Sequence, residues 1–359
     1  MITKFTVENY GCLKDVEVEL TPVHAFIGPN DSGKSTLLHA VRSVIQFATS
    51  RFVQTDRGWL PFDPRMDVRD GEPKRLLGAH ASAGWYAVET TKDATEERCQ
   101  DKDSGEEQVA SPRPWNNPCR FLESSLERLH PVLASLSGAR LIRFDADALR
   151  RPSGLITPAQ LDSLGFLNDR GEGLPSVLYG IREKDHESFT ALVESMRGFF
   201  PTLKTIRLPA ASASALTLEL ELSDGTRVPP EHMSEGLLRF LALATLRFLS
   251  PCSVVLIEEP ENGLHPARIA EAMQGLRAFA SASNTQVLIA THSPLVIDEL
   301  TADEVTVLTR PSVGVGTRAI PIKNTHNFEK RAGVYKLGEL WLAYCDGNQE
   351  EPLFDARLR

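Results

Sequence analysis

The chain has 359 residues, 42% of them hydrophobic and 24% charged, with a formal net charge of −9. That composition suits a globular protein with a core of its own, in no need of metal or disulfide staples. The acidic balance argues against a surface coated with nucleic-acid-binding charge. Local basic groups remain as candidates for such a face: Arg42, Arg51 and Arg57; Arg65, Arg69, Lys74 and Arg75; Arg143, Arg150 and Arg151.

Five cysteines are scattered without metal-ligand spacing, which suits a reducing compartment better than a disulfide framework. The N-terminus alternates like a strand rather than reading as a signal peptide, and no apolar run approaches about 18 residues. The expected address is cytoplasmic, with no membrane partner.

In chain order, Phe5, Val7, Val16, Val18 and Leu20 alternate with polar neighbours, and Val23 to Ile27 form an apolar run, so residues 2 to 27 read as strands. A helix follows, with Leu37, Leu38, Val41, Ile45 and Ala48 on one face. Residues 50 to 85 read as irregular, broken by Pro61, Pro64, Gly71 and Pro73. A strand is expected over 83 to 90. The polar, apolar-poor stretch 91 to 118 reads as a flexible surface insertion. Residues 139 to 144 read as a buried strand, and 155 to 200 as interrupted helix. Residues 215 to 222 alternate and meet an Asp224-Gly225 turn, giving a hairpin. Two apolar runs, 253 to 257 and 286 to 290, flank an amphipathic stretch carrying Ile269, Met273, Leu276 and Phe279, a βαβ pattern. A further strand is expected over 304 to 308, and 311 to 359 form a weakly patterned C-terminal extension.

Gly28-Pro29-Asn30-Asp31-Ser32-Gly33-Lys34-Ser35 fits G-x-x-x-x-G-K-[ST] at every fixed position, between a strand and a helix. Glycines let successive backbone N–H groups turn inward around a phosphate, and the helix N-terminus adds its positive end. Gly28, Asn30, Ser32, Gly33, Lys34, Ser35 and Thr36 are the candidate nucleotide ligands. Lys34 supplies charge toward the β- and γ-phosphates, and the Ser35 hydroxyl is placed to ligate Mg²⁺.

The run Val254-Val255-Leu256-Ile257 ends in Glu258 and Glu259, two acids where a parallel strand opens onto a ligand crevice. The first can hold the metal shell, and the second can orient and deprotonate water. Ser234 reads as an N-cap before LLRFLALATL, by itself a weak signal, since most such serines are only caps. His292 follows the strand QVLIA; a lone histidine is usually structural.

Order and spacing carry more than any one motif. GPNDSGKST, MSEGLLRFLALATL, VVLIEEPENGLHP and IATHSPLVIDEL follow one another as in the ABC-type ATPases of the SMC, RecF and OLD kind. The likeness is greatest to stand-alone AAA-type ATP-binding proteins with an ABC signature, and LNDRGEGLPSVLYGIREKD is similar to their linking region. The resemblance implies an α/β P-loop NTPase of ABC/RecF-like head architecture, one ATPase domain across 1 to 359. Such a head has a mostly parallel core sheet, an antiparallel β-lobe and a helical signature lobe.

By position, the resemblance implies ATP and Mg²⁺ as cofactors, with Lys34, Ser35 and Thr36 on phosphate and metal. It places Glu258 in the metal position, Glu259 as catalytic base and His292 as the switch. Ser234 and Gly236 would reach the γ-phosphate of a second subunit, and Glu261-Asn262 would lie in the loop that communicates across that interface. Glu258 departs from the superfamily's usual aspartate, and slow hydrolysis is the expectation attached to it. No adenine-stacking residue stands out; Tyr10 is a bare candidate.

The mechanism implied is an ATP-driven head-to-tail homodimer released by hydrolysis. The favoured role is the ATPase subunit of a bacterial (anti-phage) defence or toxin–antitoxin system gating an effector protein. The alternatives are a RecF-like DNA repair ATPase and a non-hydrolysing ATP-binding scaffold. A short tail whose acids form no metal-site pattern argues against nuclease activity within this chain.

Overall fold

In the computed structural model of the protein, the residues described are 1–49, 53–55, 58–60, 73–103, 105, 107–113, 132–155, 166, 168–249, 252–326 and 328–345. The chain divides into two compact units, one of Met1–Leu141, Cys252–Glu259 and Asn284–Arg359, the other of Ile142–Pro251 and Pro260–Ser283.

The first unit is built on two six-stranded sheets. One consists of β1 (Ile2–Tyr10), β2 (Leu13–Glu19), β4 (Arg75–Ala81), β5 (Gly84–Thr90), β6 (Thr95–Asp101) and β7 (Glu107–Arg113), in the order β2-β1-β4-β5-β6-β7. Its neighbours pair antiparallel, with Phe5 opposite Val18 and Val7 opposite Val16. The other consists of β3 (Val23–Ile27), β8 (Ala139–Ile142), β9 (Val254–Glu258), β10 (Gln286–Thr291), β11 (Val305–Thr309) and β12 (Arg318–Pro321), in the order β8-β9-β10-β3-β11-β12. Its four central strands, β9, β10, β3 and β11, run parallel, and β12 pairs antiparallel with β11.

Every residue of those four strands is buried. This is why they read as continuous apolar runs rather than as alternation, since a parallel strand is covered on both faces. The phosphate-loop helix, Lys34–Ala48, contributes Leu37, Leu38, Val41, Val44 and Ile45 to one core with Phe5, Val7, Leu77 and Tyr86 of the first sheet and Leu256 and Leu288 of the second. Two polar side chains stitch this interior. Gln286 accepts from Ile2 N (3.0 Å) and donates to the carbonyls of Ile2 (2.8 Å) and Thr21 (2.9 Å). The ring nitrogens of His24 meet the hydroxyls of Thr21 (3.1 Å) and Thr306 (2.9 Å). With its partners in place, each escapes most of the penalty of burial.

Three expectations are corrected in this unit. The stretch 91 to 118 is not an insertion outside the fold over its described part, because β6 and β7 extend the antiparallel sheet. The inward positions of β6 are Thr95, Glu97 and Cys99, an alternation hidden by polar residues on the buried face. Residues 50 to 85 include β4, which buries Leu77 and Ala79, and a small hairpin pairing Val53–Thr55 with Gly58–Leu60. The extension beyond 310 supplies β12 to the core sheet and a helix, Leu337–Cys345, that packs on the short helix Pro294–Ile297.

The second unit contains the helices Leu174–Lys184, His186–Phe199, Glu235–Thr245 and Pro266–Ser283. Two three-stranded sheets accompany them. One includes the hairpin expected around Asp224-Gly225, with Leu220 opposite Val228. Among the described residues, no helix is long and apolar enough to cross a membrane.

Candidate functional site

The phosphate loop joins β3 to the Lys34 helix, and close packing dictates its glycines. A Cβ at Gly28 would collide with the Leu308 carbonyl oxygen of the adjacent strand β11. Gly33 caps the helix at φ 102°, and a Cβ there would lie 2.6 Å from Thr317 Oγ1. Among the described residues no side chain caps this helix, and its first turn holds no acid, so its positive end is left to another anion. Lys34 Nζ donates to the carbonyls of Gly28 and Pro29, both at 2.7 Å, and so stands over the loop. Ser32 Oγ is buried and makes no hydrogen bond among the described residues, an orphan polar atom inside the cradle. Asn30 and Ser35 are exposed and Thr36 partly so. A polyphosphate fits this donor set: a lysine, the N–H groups of a helix start and a hydroxyl.

Because β9, β10 and β3 are adjacent and parallel, the residues that follow them emerge at one edge of the sheet. Glu258 ends β9 with a side chain only 8% exposed, its Oε1 3.9 Å from His39 Nε2 on the phosphate-loop helix. Glu259 adopts φ 49°, its N–H held by the Ala290 carbonyl (2.8 Å). A side chain in that left-handed region costs on the order of 1 kcal/mol or more, strain of a kind that gathers at functional sites. Glu259 Oε1 lies 3.3 Å from Nδ1 of His292, the residue just beyond β10. The structure therefore brings Glu259 and His292 together at the sheet edge from which the phosphate loop also emerges. Ser35 and Glu258 carry oxygen donors of the kind Mg²⁺ takes. Two protein ligands suffice in such a site, where the ion keeps waters and phosphate oxygens.

Ser234, Gly236, Glu261 and Asn262 belong to the second unit. Ser234 is the N-cap of the Glu235–Thr245 helix, its Oγ accepting from Leu237 N at 3.4 Å. Gly236 has a local duty, since a Cβ there would collide with the carbonyl oxygen of Gly263, itself at φ 72°. The helix start and the 261–264 loop thus pack backbone to backbone. Arg150 holds the chain entering that helix, donating to the carbonyls of Pro230 (3.1 Å) and Met233 (3.0 Å).

One candidate is corrected here. Tyr10 is fully buried with its hydroxyl 3.2 Å from Ser43 Oγ, so it cannot stack on a base. Arg150 serves carbonyls, Arg151 pairs with Glu172, Lys74 with Glu89, and Arg75 donates to Asn9 O, so these four are engaged within the protein. Arg51, Arg57, Arg65 and Arg69 lie outside the described residues. His39, Arg310 and Thr317 reach this region with no sequence motif to mark them. Thr317 Oγ1 donates to the Ser32 carbonyl at 2.9 Å across 285 residues, a distance at which no local pattern carries a signal.

A phosphate loop on a mostly parallel sheet, with an antiparallel lobe and two acids at the end of β9, one strand removed from β3, defines an ATPase head of the ABC, SMC and OLD type. Among families, the model described as "AAA domain, putative AbiEii toxin, Type IV TA system" matches residues 23–298, and the chain belongs to this family. The chain is 22% identical over 321 residues to an OLD nuclease of Thermus scotoductus (strain ATCC 700910 / SA-01), covering 83% of this chain and 60% of that protein. It therefore spans three-fifths of the length of the curated relative it matches. Its fold is shared with an Smc head solved bound to the C-winged helix domain of ScpA, with TM-score 0.54, 14% identity, and 89% and 96% of the two chains covered.

Proposed function

We propose that the protein is an ATP-hydrolysing switch that associates head-to-tail around ATP and gates an effector in a defence or toxin–antitoxin setting. The single observation that carries the enzymatic part is the strained Glu259, paired with His292 at the edge where the phosphate loop begins. In this reading Lys34 and the helix start bind the β- and γ-phosphates. Ser35 and Glu258 hold Mg²⁺, which supplies positive charge to the phosphate oxygens. Glu259 orients a water and takes its proton as the water oxygen bonds to the γ-phosphorus and the bond to ADP breaks. His292 holds Glu259 in position and meets the γ-phosphate. The nearly buried Glu258, longer than the usual aspartate, favours slow turnover.

Ser234 completes the site of a second copy in this account. Its exposure and the rigid seat of its helix start suit a surface that meets a partner. The family's description supports the toxin–antitoxin setting. The OLD relative supports a second reading, an ATPase acting on nucleic acid together with a nuclease.

Phosphate release under saturating ATP and Mg²⁺ tests the enzymatic part. Lys34→Ala should lose nucleotide binding, whereas Glu259→Gln should keep it and slow turnover about 10²- to 10⁴-fold. Turnover by Glu259→Gln at the wild-type rate would remove Glu259 as the base.

A further inference from the structure

The phosphate loop contains a carboxylate that works against an anionic ligand. Asp31, the fourth residue of the loop, sits at φ 65° with its side chain 85% exposed. A negative charge there repels a polyphosphate on the same loop, since screening takes hold only beyond about 8 Å at physiological salt. Asp31 does not stand alone. Nη1 of Arg310 lies 2.9 Å from its Oδ2.

Arg310 directly follows β11, the parallel neighbour of β3, with Val307 opposite Ile27. The chain thus delivers a permanent cation to the loop from a strand 279 residues away. This differs from an ordinary surface ion pair. The arginine side chain is only 21% exposed, and its Nε is buried with no hydrogen bond among the described residues. Most of the arginine side chain is thus enclosed by the fold, and its buried donor without a hydrogen bond carries a cost of its own. A second fastening lies seven residues on, where Thr317 Oγ1 donates to the Ser32 carbonyl and Thr317 N to the Cys12 carbonyl, both at 2.9 Å. The connection between β11 and β12 thus meets the phosphate loop at two points, one electrostatic and one through its backbone.

We propose that Arg310 is a determinant of nucleotide retention: it cancels the charge of Asp31 and thereby sets how long an anionic nucleotide stays on the loop. This rests on the reading of the loop as a nucleoside triphosphate site. Arg310 acts through Asp31 and is a positioning and charge-compensating residue, not a catalytic one.

The test is the release rate of a fluorescent ATP analogue from the full chain with Mg²⁺, by displacement with unlabelled ATP. Arg310→Ala should release about two- to tenfold faster than wild type, and the excess should shrink as salt rises from about 0.05 to 0.5 M. Asp31→Asn should release more slowly than wild type, because Arg310 then faces the nucleotide without a counter-charge. The double variant should return to about the wild-type rate. An Arg310→Ala rate equal to wild type, or a double variant as fast as Arg310→Ala, would overturn the proposal. Should Arg310→Ala not fold, Asp31→Asn alone decides, with faster release counting against it. Wild type that binds no analogue, or Lys34→Ala that binds as wild type does, would sink the nucleotide reading itself. Normal binding lost in Lys34→Ala but unchanged release in Arg310→Ala would sink this inference alone.

Discussion

His24 shows how a single side chain can couple the core beneath the nucleotide loop to pH. It lies on β3, four residues before Gly28, fully enclosed between two threonine hydroxyls. Burial pushes its pKa from 6.5 down to about 4, only partly offset by Glu304. A histidine with a lowered folded pKa stays neutral in the fold while the unfolded chain takes up a proton. Stability is therefore complete above pH 6.5 and falls as pH drops from 6.5 toward 4, by roughly 3 kcal/mol at most. Urea unfolding of wild type and His24→Asn at pH 7.5 and pH 5 measures this. Wild type should lose stability between the two pH values and the variant should lose much less; equal losses would contradict the assignment. Glu259 illustrates a different residue-scale effect. Its left-handed backbone is no preference of glutamate, so the fold holds a carboxylate where a glycine or asparagine would be more at ease.

At the scale of elements, the start of the Glu235 helix and the Gly263 loop form one backbone-to-backbone contact. Gly236→Ala should force them apart, at a cost of about 1–3 kcal/mol. Because the contact lies within the second unit, nucleotide binding by the phosphate loop should survive while ATP-dependent association weakens. Parallel measurement of nucleotide affinity and association separates these effects, and an affinity that falls as far as association would refute the division of labour. The same scale shows what was legible in the sequence. β9, β10 and β3 were readable because burial on both faces demands unbroken apolar runs, and the Glu258–Glu259 pair, His292 and the phosphate loop sit at the ends of these three runs. β6 was not readable, because its inward face carries Thr95, Glu97 and Cys99 rather than aliphatic residues. The seat of Gly236 and the pairing of Arg310 with Asp31 also stayed hidden. Both are contacts between segments far apart in the chain, and neither leaves a local period.

For the whole molecule, the candidate residues fall into two groups, one on each compact unit. The phosphate loop, Glu258, Glu259 and His292 lie in the first; Ser234, Gly236, Glu261 and Asn262 lie in the second. In the proposed account each unit contributes one half of a composite site, and a second copy supplies the other half. ATP then acts as the ligand that favours the associated state, since a ligand shifts an equilibrium only by binding one state better than the other. A net charge of −9 on each copy opposes association, a repulsion the proposed contacts must outweigh.

The measurement that tests this most directly is the molar mass in solution of Glu259→Gln, with and without ATP and Mg²⁺, alongside the same variant carrying Ser234→Arg. The account predicts a doubling of mass with ATP in the first protein and none in the second. A mass unchanged by ATP, or a doubling that ignores Ser234→Arg, would contradict the composite site.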